Sequence, residues 1–117
     1  MMVVKRFTFE AAHFLPGYEG ACANLHGHSY KLEIGVSAGC LNEQSMVIDF
    51  KQLKQIVQDV IIKQFDHTCI NDWWPLKVPP TAEAMINYIG ACLDMELPGL
   101  FLIRLWETED SYAEWRA

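Results

Sequence analysis

The stretch that decides the fold is VVKRFTFEAAH at residues 3–13, followed after a short break by HGHSYKLEIGVS at residues 26–37. In both segments apolar or aromatic side chains recur at every second position, which is the period of a β-strand with one buried face. Residues 14–25, between them, contain one proline and two glycines and are typical of a loop. The stretch therefore predicts an antiparallel hairpin, with His13 and His28 on the inward face of its two strands.

The rest of the chain predicts two helices and two further strands. Asp49 with Gln52 three residues later is typical of a capping box that opens a helix, and Thr81, after two prolines, can cap a second one. The expected inward stripes are Phe50, Leu53, Val57, Val60 and Ile61, then Met85, Ile86, Ile89 and Leu93. Strands are expected at residues 100–107 and around Tyr112–Trp115. The order ββααββ predicts an α+β domain with a four-stranded antiparallel sheet and both helices on one face.

Composition narrows the class of protein. A chain of 117 residues fits one domain, residues 1–117, and a net charge of -6 without a basic patch argues against a nucleic-acid binder. No apolar run reaches the length of a membrane span, and the N-terminus lacks the pattern of a signal peptide. The cysteines are widely spaced and form no C-x-x-C pair: Cys22, Cys40, Cys69 and Cys92. Reduced thiols in a cytoplasmic protein are therefore expected.

Three histidines on the hairpin are the strongest chemical signal. His26 and His28 lie two residues apart on one face of a strand, and the hairpin brings His13 beside them. Neutral imidazoles are ligands that zinc prefers, and three protein ligands leave one coordination position open, as in catalytic zinc sites. The alternative is that each is an ordinary polar or capping histidine. Because three of the chain's four histidines share one hairpin, we favour zinc.

Cys22 lies in the loop of the hairpin, four positions before His26. A nearby metal ion or imidazolium stabilises a thiolate, which makes Cys22 a candidate base or nucleophile. A lone cysteine is otherwise more often a small buried residue. We interpret the other three cysteines as structural.

Residues 7–34, FTFEAAHFLPGYEGACANLHGHSYKLEI, resemble the N-terminal signature of the 6-pyruvoyltetrahydropterin and 6-carboxytetrahydropterin synthase family. Four further segments agree in the same order: MVIDFKQLK (46–54), FDHTCIND (65–72), PTAEAMINYI (80–89) and WETEDSYAEW (106–115). The C-x-x-x-H-G-H spacing from Cys22 to His28 resembles the queuosine-pathway branch. The resemblance implies the tunnelling fold, whose sheets associate into an oligomeric barrel. It further implies a hexamer of two stacked trimeric rings, with active sites at subunit interfaces.

The resemblance also implies roles for individual residues. It makes His13, His26 and His28 the zinc ligands. It makes Cys22 the base that abstracts a proton, and it makes Asp66 and His67 a companion proton relay. It also implies that Glu107 anchors the pterin through two parallel hydrogen bonds and that Thr81 is a further contact with the pterin. Judged from the residues alone, Asp66 and His67 could merely end a helix, Glu107 could be solvated and Thr81 could be only an N-cap.

The implied reaction is that of a zinc-dependent carbon–oxygen lyase. It converts 7,8-dihydroneopterin triphosphate into 6-carboxytetrahydropterin, acetaldehyde and triphosphate, on the way to queuosine. One alternative is a 6-pyruvoyltetrahydropterin synthase, and another is a non-catalytic pterin- or metal-binding module on the same fold. A zinc hydrolase unrelated to pterins is disfavoured because no H-E-x-x-H motif is present.

Two features depart from the family pattern, one residue and one pair. Phe14 stands directly after the first zinc histidine, where relatives often have a basic residue. The candidate cations for a triphosphate are Lys5, Arg6, Lys31 and Arg104. The unusual pair Trp73-Trp74 is expected to form an interface or a pocket wall.

Overall fold

Strands at the two ends of the chain flank a helical middle. The computed structural model describes residues 1–117. Its strands are β1 (Met2–His13), β2 (His26–Ser37), β3 (Thr68–Cys69), β4 (Leu100–Trp106) and β5 (Tyr112–Arg116). Its helices are α1 (Phe50–Val57), which continues through a π-helical turn (Gln58–Ile62) into α2 (Lys63–Phe65), and α3 (Ala82–Leu93). Short 3-10 turns lie at Ala21–Ala23 and Ile70–Asp72. No helix is both long and apolar enough to cross a membrane.

The sheet has five strands in the order β3-β1-β2-β4-β5. The hairpin is paired along its whole length, from Met2 opposite Ser37 to His13 opposite His26, and β4 and β5 extend it antiparallel. The prediction of four antiparallel strands was therefore incomplete, because β3 adds a fifth strand parallel to β1. A two-residue strand is too short to produce an alternating pattern. Its position depends on where the preceding helix returns the chain to the sheet.

The core lies between the sheet and the helices. Inward positions of β1 and β2 are buried as predicted, whereas the opposite face of β1 is exposed at Arg6, Thr8 and Glu10. The buried strand residues on the face that meets the helices are Phe7, Phe9, Ala11, His13, Tyr30, Leu32, Ile34, Val36, Ile103 and Leu105, and Glu33 and Leu102 are buried on the opposite face. The helices cover one face only, as predicted, and the other face of the sheet remains open.

Both predicted helix caps are present. The Asp49 side chain accepts a hydrogen bond from Lys51 N at 2.8 Å, and Thr81 Oγ1 accepts one from Ala84 N at 3.1 Å. The predicted inward stripe of α3 is buried in full. In α1 the prediction was wrong for Phe50, which is 51% exposed. Phe50 is the first residue of its helix, and its side chain lines a surface pocket rather than the core.

The π-helical turn changes which face of the first helix meets the sheet. Leu53 and Val57 are buried in α1, four residues apart, and the wider turn then buries both Ile61 and Ile62. The extra residue in this turn rotates the last part of the helix. As a result, Phe65 ends the helix with its ring fully buried against Phe9.

Trp73 and Trp74 belong to an aromatic cluster that packs the segment after β3 against the helices. The Trp73 ring centroid lies 4.9 Å from that of Phe65, and the Trp74 centroid lies 5.3 Å from that of Tyr88. Trp73 Nε1 donates a hydrogen bond to Thr68 Oγ1 at 3.1 Å. Within one chain, Trp73 and Trp74 therefore stabilise the packing of this segment against the helices. Trp74 also lines a surface pocket, as one of the two expectations for this pair had it.

Candidate metal centre and active site

The hairpin register brings the three predicted imidazoles together. His13 is directly opposite His26, and His28 is paired with Ala11 two residues further along. The ring centroids are 4.6 Å apart for His13 and His26, 5.2 Å for His13 and His28, and 4.9 Å for His26 and His28. Strand alternation alone thus assembles a triangle of rings at the end of the sheet.

Backbone carbonyls orient two of these rings. His13 Nδ1 lies 2.8 Å from Pro80 O, and His26 Nδ1 lies 2.7 Å from Asn24 O. A carbonyl can only accept, so each Nδ1 carries the proton and each Nε2 keeps its lone pair. This arrangement, in which the second ring nitrogen donates to a carbonyl, is usual for histidines that bind metals.

The third ring has an unpaired nitrogen that faces the same space. His28 Nε2 is buried without a hydrogen-bond partner, although Glu107 Oε1 lies 3.1 Å away, because the pair lacks hydrogen-bond geometry. A buried polar atom without a partner is costly unless something absent from the bare chain binds it. A divalent cation that accepts three imidazole nitrogens fits this arrangement, and zinc suits the donor set.

Burial favours the metal-binding neutral form of His13 and His28. Burial lowers the pKa of His13, and this effect outweighs the hydrogen bond to Pro80 and the negative charge of Glu107, both of which raise the pKa. Burial also lowers the pKa of His28, again against Glu107. Both rings are therefore neutral at pH 7, and a metal does not have to displace a proton from them. Tyr30 closes the inner side of the cluster with its hydroxyl oxygen 3.4 Å from His13 Nε2, and burial raises the pKa of this phenol.

Glu107 joins the cluster, which sequence reasoning did not predict. One oxygen of its carboxylate and one nitrogen of each of the three rings all lie within 4.8 Å of one another. Glu107 Oε1 is 3.8 Å from His13 Nε2. The residue follows β4, whose register beside β2 carries the carboxylate to the histidine end of the sheet. The only sign of this contact in the sequence was that Glu107 follows Phe101, Ile103 and Leu105 on the inward face of β4. That alternation does not determine how β4 is aligned with β2.

A cavity opens beside this carboxylate. Its volume is about 560 Å³, and it is lined by Ala82, Glu83, Glu107, Thr108, Ser111, Tyr112 and Ala113. This volume lies within the usual range for small-molecule sites. Glu107 is thus the residue that borders both the imidazole cluster and the cavity.

Cys22 is not part of the imidazole cluster in one chain. It lies in the 3-10 turn of the hairpin loop, where its carbonyl accepts a hydrogen bond from Leu15 N at 2.8 Å. Its thiol is partly exposed, and like the other three cysteines it forms no disulfide. The loop therefore presents the thiol at the surface near the histidine end of the hairpin.

Asp66 and His67 meet each other but do not belong to the cluster of three imidazoles and Glu107, although His67 and His28 line the same groove. Asp66 Oδ1 is 2.9 Å from His67 Nδ1 and also accepts a hydrogen bond from Glu10 N at 2.9 Å. That backbone hydrogen bond, aided by His67 and opposed by slight burial, lowers the pKa of Asp66. The His67 side chain is 79% exposed. It borders a groove with Glu10 and Ser29, whose side chains lie on the open face of the sheet.

The backbone of His67 has a left-handed conformation, with φ of 60°. Its amide donates to Glu10 O at 2.6 Å, so both hydrogen bonds to Glu10 hold this turn against β1. A residue other than glycine rarely adopts this conformation without a constraint. The exposed imidazole is therefore presented on a rigidly held backbone.

Asn71 is a positioning residue that the sequence did not reveal. Its amide accepts from Phe14 N and donates to Phe14 O, both at 3.0 Å. These two bonds fix the backbone directly after His13. No sequence motif marks Asn71, or the carbonyl groups of Pro80 and Asn24, as contacts of this site. Each contact involves main-chain atoms, which every residue has, so it leaves no recognisable pattern of side chains in the sequence.

Two of the four candidate cations for a triphosphate are engaged elsewhere. Arg104 forms ion pairs with Glu33 and Glu114, and Arg6 approaches Glu33. Lys5 and Lys31 have no ion pair within the chain. They are the candidates whose charge is still available to an anion.

Comparison with known proteins agrees with this architecture. A profile of the family described as 6-pyruvoyl tetrahydropterin synthase matches residues 2–117. The chain is 35% identical to a 6-carboxy-5,6,7,8-tetrahydropterin synthase of Haemophilus influenzae, over 97% of both chains. It is 38% identical to the protein of that name from a Synechocystis species, over 97% of this chain and 92% of the relative.

Solved structures show the same fold at lower identity. The Caenorhabditis elegans 6-pyruvoyl tetrahydropterin synthase superposes with a TM-score of 0.87 at 21% identity, covering 100% of this chain and 95% of that one. The Plasmodium falciparum 6-pyruvoyl tetrahydropterin synthase gives a TM-score of 0.76 at 20% identity, covering 100% and 97%. The fold is the tunnelling fold of these proteins. The chain belongs to the 6-pyruvoyl tetrahydropterin synthase family, a family of pterin synthases of the lyase type.

Proposed function

We propose that this protein is a zinc-dependent 6-carboxy-5,6,7,8-tetrahydropterin synthase. With one water, it converts 7,8-dihydroneopterin triphosphate into 6-carboxytetrahydropterin, acetaldehyde and triphosphate, a step of queuosine biosynthesis. The observation that carries the proposal is the group formed by His13, His26, His28 and Glu107, beside a cavity of about 560 Å³. The names of the relatives from Haemophilus influenzae and Synechocystis support the choice of product.

The donor set supports zinc held by His13, His26 and His28. When bound there, zinc supplies a Lewis acid for the hydroxyl groups of the substrate side chain. Glu107 lies where a carboxylate can accept two hydrogen bonds from the guanidine-like edge of the pterin in the cavity. Thr81, which caps α3 next to the cavity residue Ala82, is a further candidate contact.

Proton transfer needs a base and an acid besides the metal. Cys22 is the proposed base, and the Asp66–His67 pair is the proposed relay, in which the carboxylate holds Nδ1 and leaves Nε2 to exchange a proton. Because His67 is exposed on the open face of the sheet, it can serve the metal centre of another copy of the chain. This supports active sites shared between subunits, within an oligomer that we propose to be a hexamer of two trimers.

The four free cysteines support a reducing compartment, and we propose the cytoplasm.

The test is to incubate zinc-loaded protein with 7,8-dihydroneopterin triphosphate and to measure acetaldehyde and pterin products. Acetaldehyde with 6-carboxytetrahydropterin is expected. A pyruvoyl product without acetaldehyde would replace the proposal with a 6-pyruvoyltetrahydropterin synthase. Absence of any turnover, with pterin still bound, would indicate a binding module.

A matched pair of variants tests the base. Cys22→Ala should keep zinc and pterin while turnover falls by about 10²–10⁴-fold, the usual contribution of one acid or base. Cys40→Ala is the control, since Cys40 is exposed and free. Equal turnover in the two variants would remove Cys22 from the mechanism.

A further inference from the structure

The loop of the hairpin, residues 14–25, has little packing of its own. Residues 16–21 are all exposed, and Phe14, Leu15 and Cys22 are only partly buried. None of the loop side chains belongs to the hydrophobic core. A segment with few buried apolar contacts opens readily unless hydrogen bonds hold it. The place of the Cys22 thiol therefore depends on the hydrogen bonds that the loop makes.

One of these hydrogen bonds ties Cys22 to the start of the loop. Leu15 N donates to Cys22 O at 2.8 Å, which joins the two arms of the loop. The other main-chain bonds, such as Tyr18 N to Leu15 O at 3.2 Å, also lie within the loop. They give the loop its shape but do not attach it to the rest of the protein. The backbone of Cys22 therefore follows the backbone of Leu15.

Asn71 is the residue outside the hairpin that attaches this loop by hydrogen bonds. Its Nδ2 donates to Phe14 O and its Oδ1 accepts from Phe14 N, both at 3.0 Å, and Phe14 directly precedes Leu15. Asn71 is itself held firmly, because its neighbour Ile70 is fully buried and β3, just before, pairs with β1. The amide thus connects a fixed turn to a loop that has no other such connection.

The metal ligands next to the loop do not depend on this connection. His13 is the last residue of β1 and is paired with His26, and its ring bonds to Pro80 O at 2.8 Å. Loss of the Asn71 amide would therefore release the loop while the imidazoles stay in place. Cys22 has no second anchor of this kind.

We propose that Asn71 is a positioning residue for Cys22. Its two hydrogen bonds to Phe14 hold the loop in one place, and the bond between Leu15 and Cys22 passes that position on to the thiol. This inference rests on the proposed function, in which Cys22 is the base. A base has to lie within hydrogen-bond reach of the proton that it removes, and a displacement of about 1 Å can slow a reaction about 100-fold.

The experiment measures kcat and KM for acetaldehyde release by the zinc-loaded full chain. Asn71→Ala removes both bonds to Phe14 and should lower kcat about 10- to 100-fold, with KM and zinc content unchanged. Asn42→Ala is the matched control, because the Asn42 side chain also accepts from two main-chain amides, those of Gln44 and Met46, in another exposed loop. It should turn over like the parent.

A double variant shows whether Asn71 acts through Cys22. If it does, Cys22→Ala/Asn71→Ala should turn over no more slowly than Cys22→Ala alone, because a base that is absent cannot be displaced. A general loss of structure would instead slow the double variant by the same factor that Asn71→Ala slows the parent. Asn71→Asp keeps the acceptor for Phe14 N and loses only the donor to Phe14 O. It should lower kcat while disturbing the fold less, as judged by circular dichroism melting.

Hydrogen exchange observes the attachment of the loop without any substrate. In Asn71→Ala, peptides from residues 14–24 should exchange at least about tenfold faster than in the parent and in Asn42→Ala. Exchange in residues 3–13 should stay as in the parent, since β1 keeps its pairing with β2.

The inference is overturned if the loop exchanges equally in Asn71→Ala and Asn42→Ala, if kcat is the same in these two variants, or if the losses in the double variant multiply. Each of these outcomes leaves the proposed function standing. A parent that releases no acetaldehyde, or Cys22→Ala that turns over like Cys40→Ala, would overturn the proposed base and this inference with it.

Discussion

Replacing Glu107 by Gln removes a negative charge whose Oε1 lies 3.1 Å from His28 Nε2 and 3.8 Å from His13 Nε2. A cation held by these nitrogens loses an attractive neighbour. Two unit charges 4 Å apart interact by about 4 kcal/mol at an effective dielectric constant of 20 and by about 1 kcal/mol in water. The Glu107 side chain is 28% exposed, so we expect a loss of about 1–3 kcal/mol, which weakens zinc binding about 5- to 150-fold.

The assay is competition for zinc against a chelator at fixed pH, with pterin binding measured in parallel. Glu107→Gln should weaken the binding of zinc and the binding of pterin, because the carboxylate borders the metal centre on one side and the cavity on the other. Glu83→Gln is the control, since Glu83 lines the same cavity but does not belong to the imidazole cluster. Unchanged zinc affinity in Glu107→Gln, or an equal loss in Glu83→Gln, would refute the electrostatic reasoning.

Three further outcomes test the local structure. Thr81→Ala removes the acceptor for Ala84 N and should lower the free energy of unfolding by about 1 kcal/mol, whereas Thr81→Ser should not; denaturant titration measures both. His67→Gly should melt a few degrees above His67→Ala, because only glycine adopts φ of 60° without strain, and neither should release acetaldehyde at the parental rate. Burial alone would raise the pKa of Glu33, but hydrogen bonds from Trp106 and Arg104 hold it below its usual value. Glu33 therefore contributes its full stabilisation at pH values above the pKa of an unfolded glutamate carboxyl, about 4.3. This stabilisation is lost as the pH falls through the lower pKa of the folded state. Glu33→Gln should therefore make the melting temperature depend less on pH in the acid range, as measured by thermal melts.

Local patterns in the sequence predicted most of the fold. The alternation that ends in His13 and His28 fixed which face of the hairpin is buried, because strand faces depend only on neighbouring residues. Asp49 and Thr81 were identified as caps for the same reason, since a cap bonds to residues two or three positions away. The triangle of imidazoles followed from the same alternation once the hairpin was assumed.

Features that depend on distant parts of the chain could not be predicted in this way. β3 is parallel to a strand more than 50 residues earlier in the sequence, and nothing in Thr68–Cys69 indicates that pairing. The contact of Glu107 with His28 depends on the register of β4 beside β2. Cys22 was expected near the metal because of its spacing from His26, but a loop position gives no orientation.

The first helix, which continues through the π-helical turn at Gln58–Ile62, sets where Asp66 and His67 lie at the edge of the sheet. Removing one residue from α1, ahead of this turn, would turn everything beyond it by about 100° and draw it back by about 1.5 Å. Phe65 would leave its place against Phe9, and Asp66 would no longer reach the amide of Glu10. Insertions and deletions in α1 are therefore expected to disturb the proton relay proposed for Asp66 and His67 even where the helix survives, so a designer who wishes to shorten the protein should leave this helix intact.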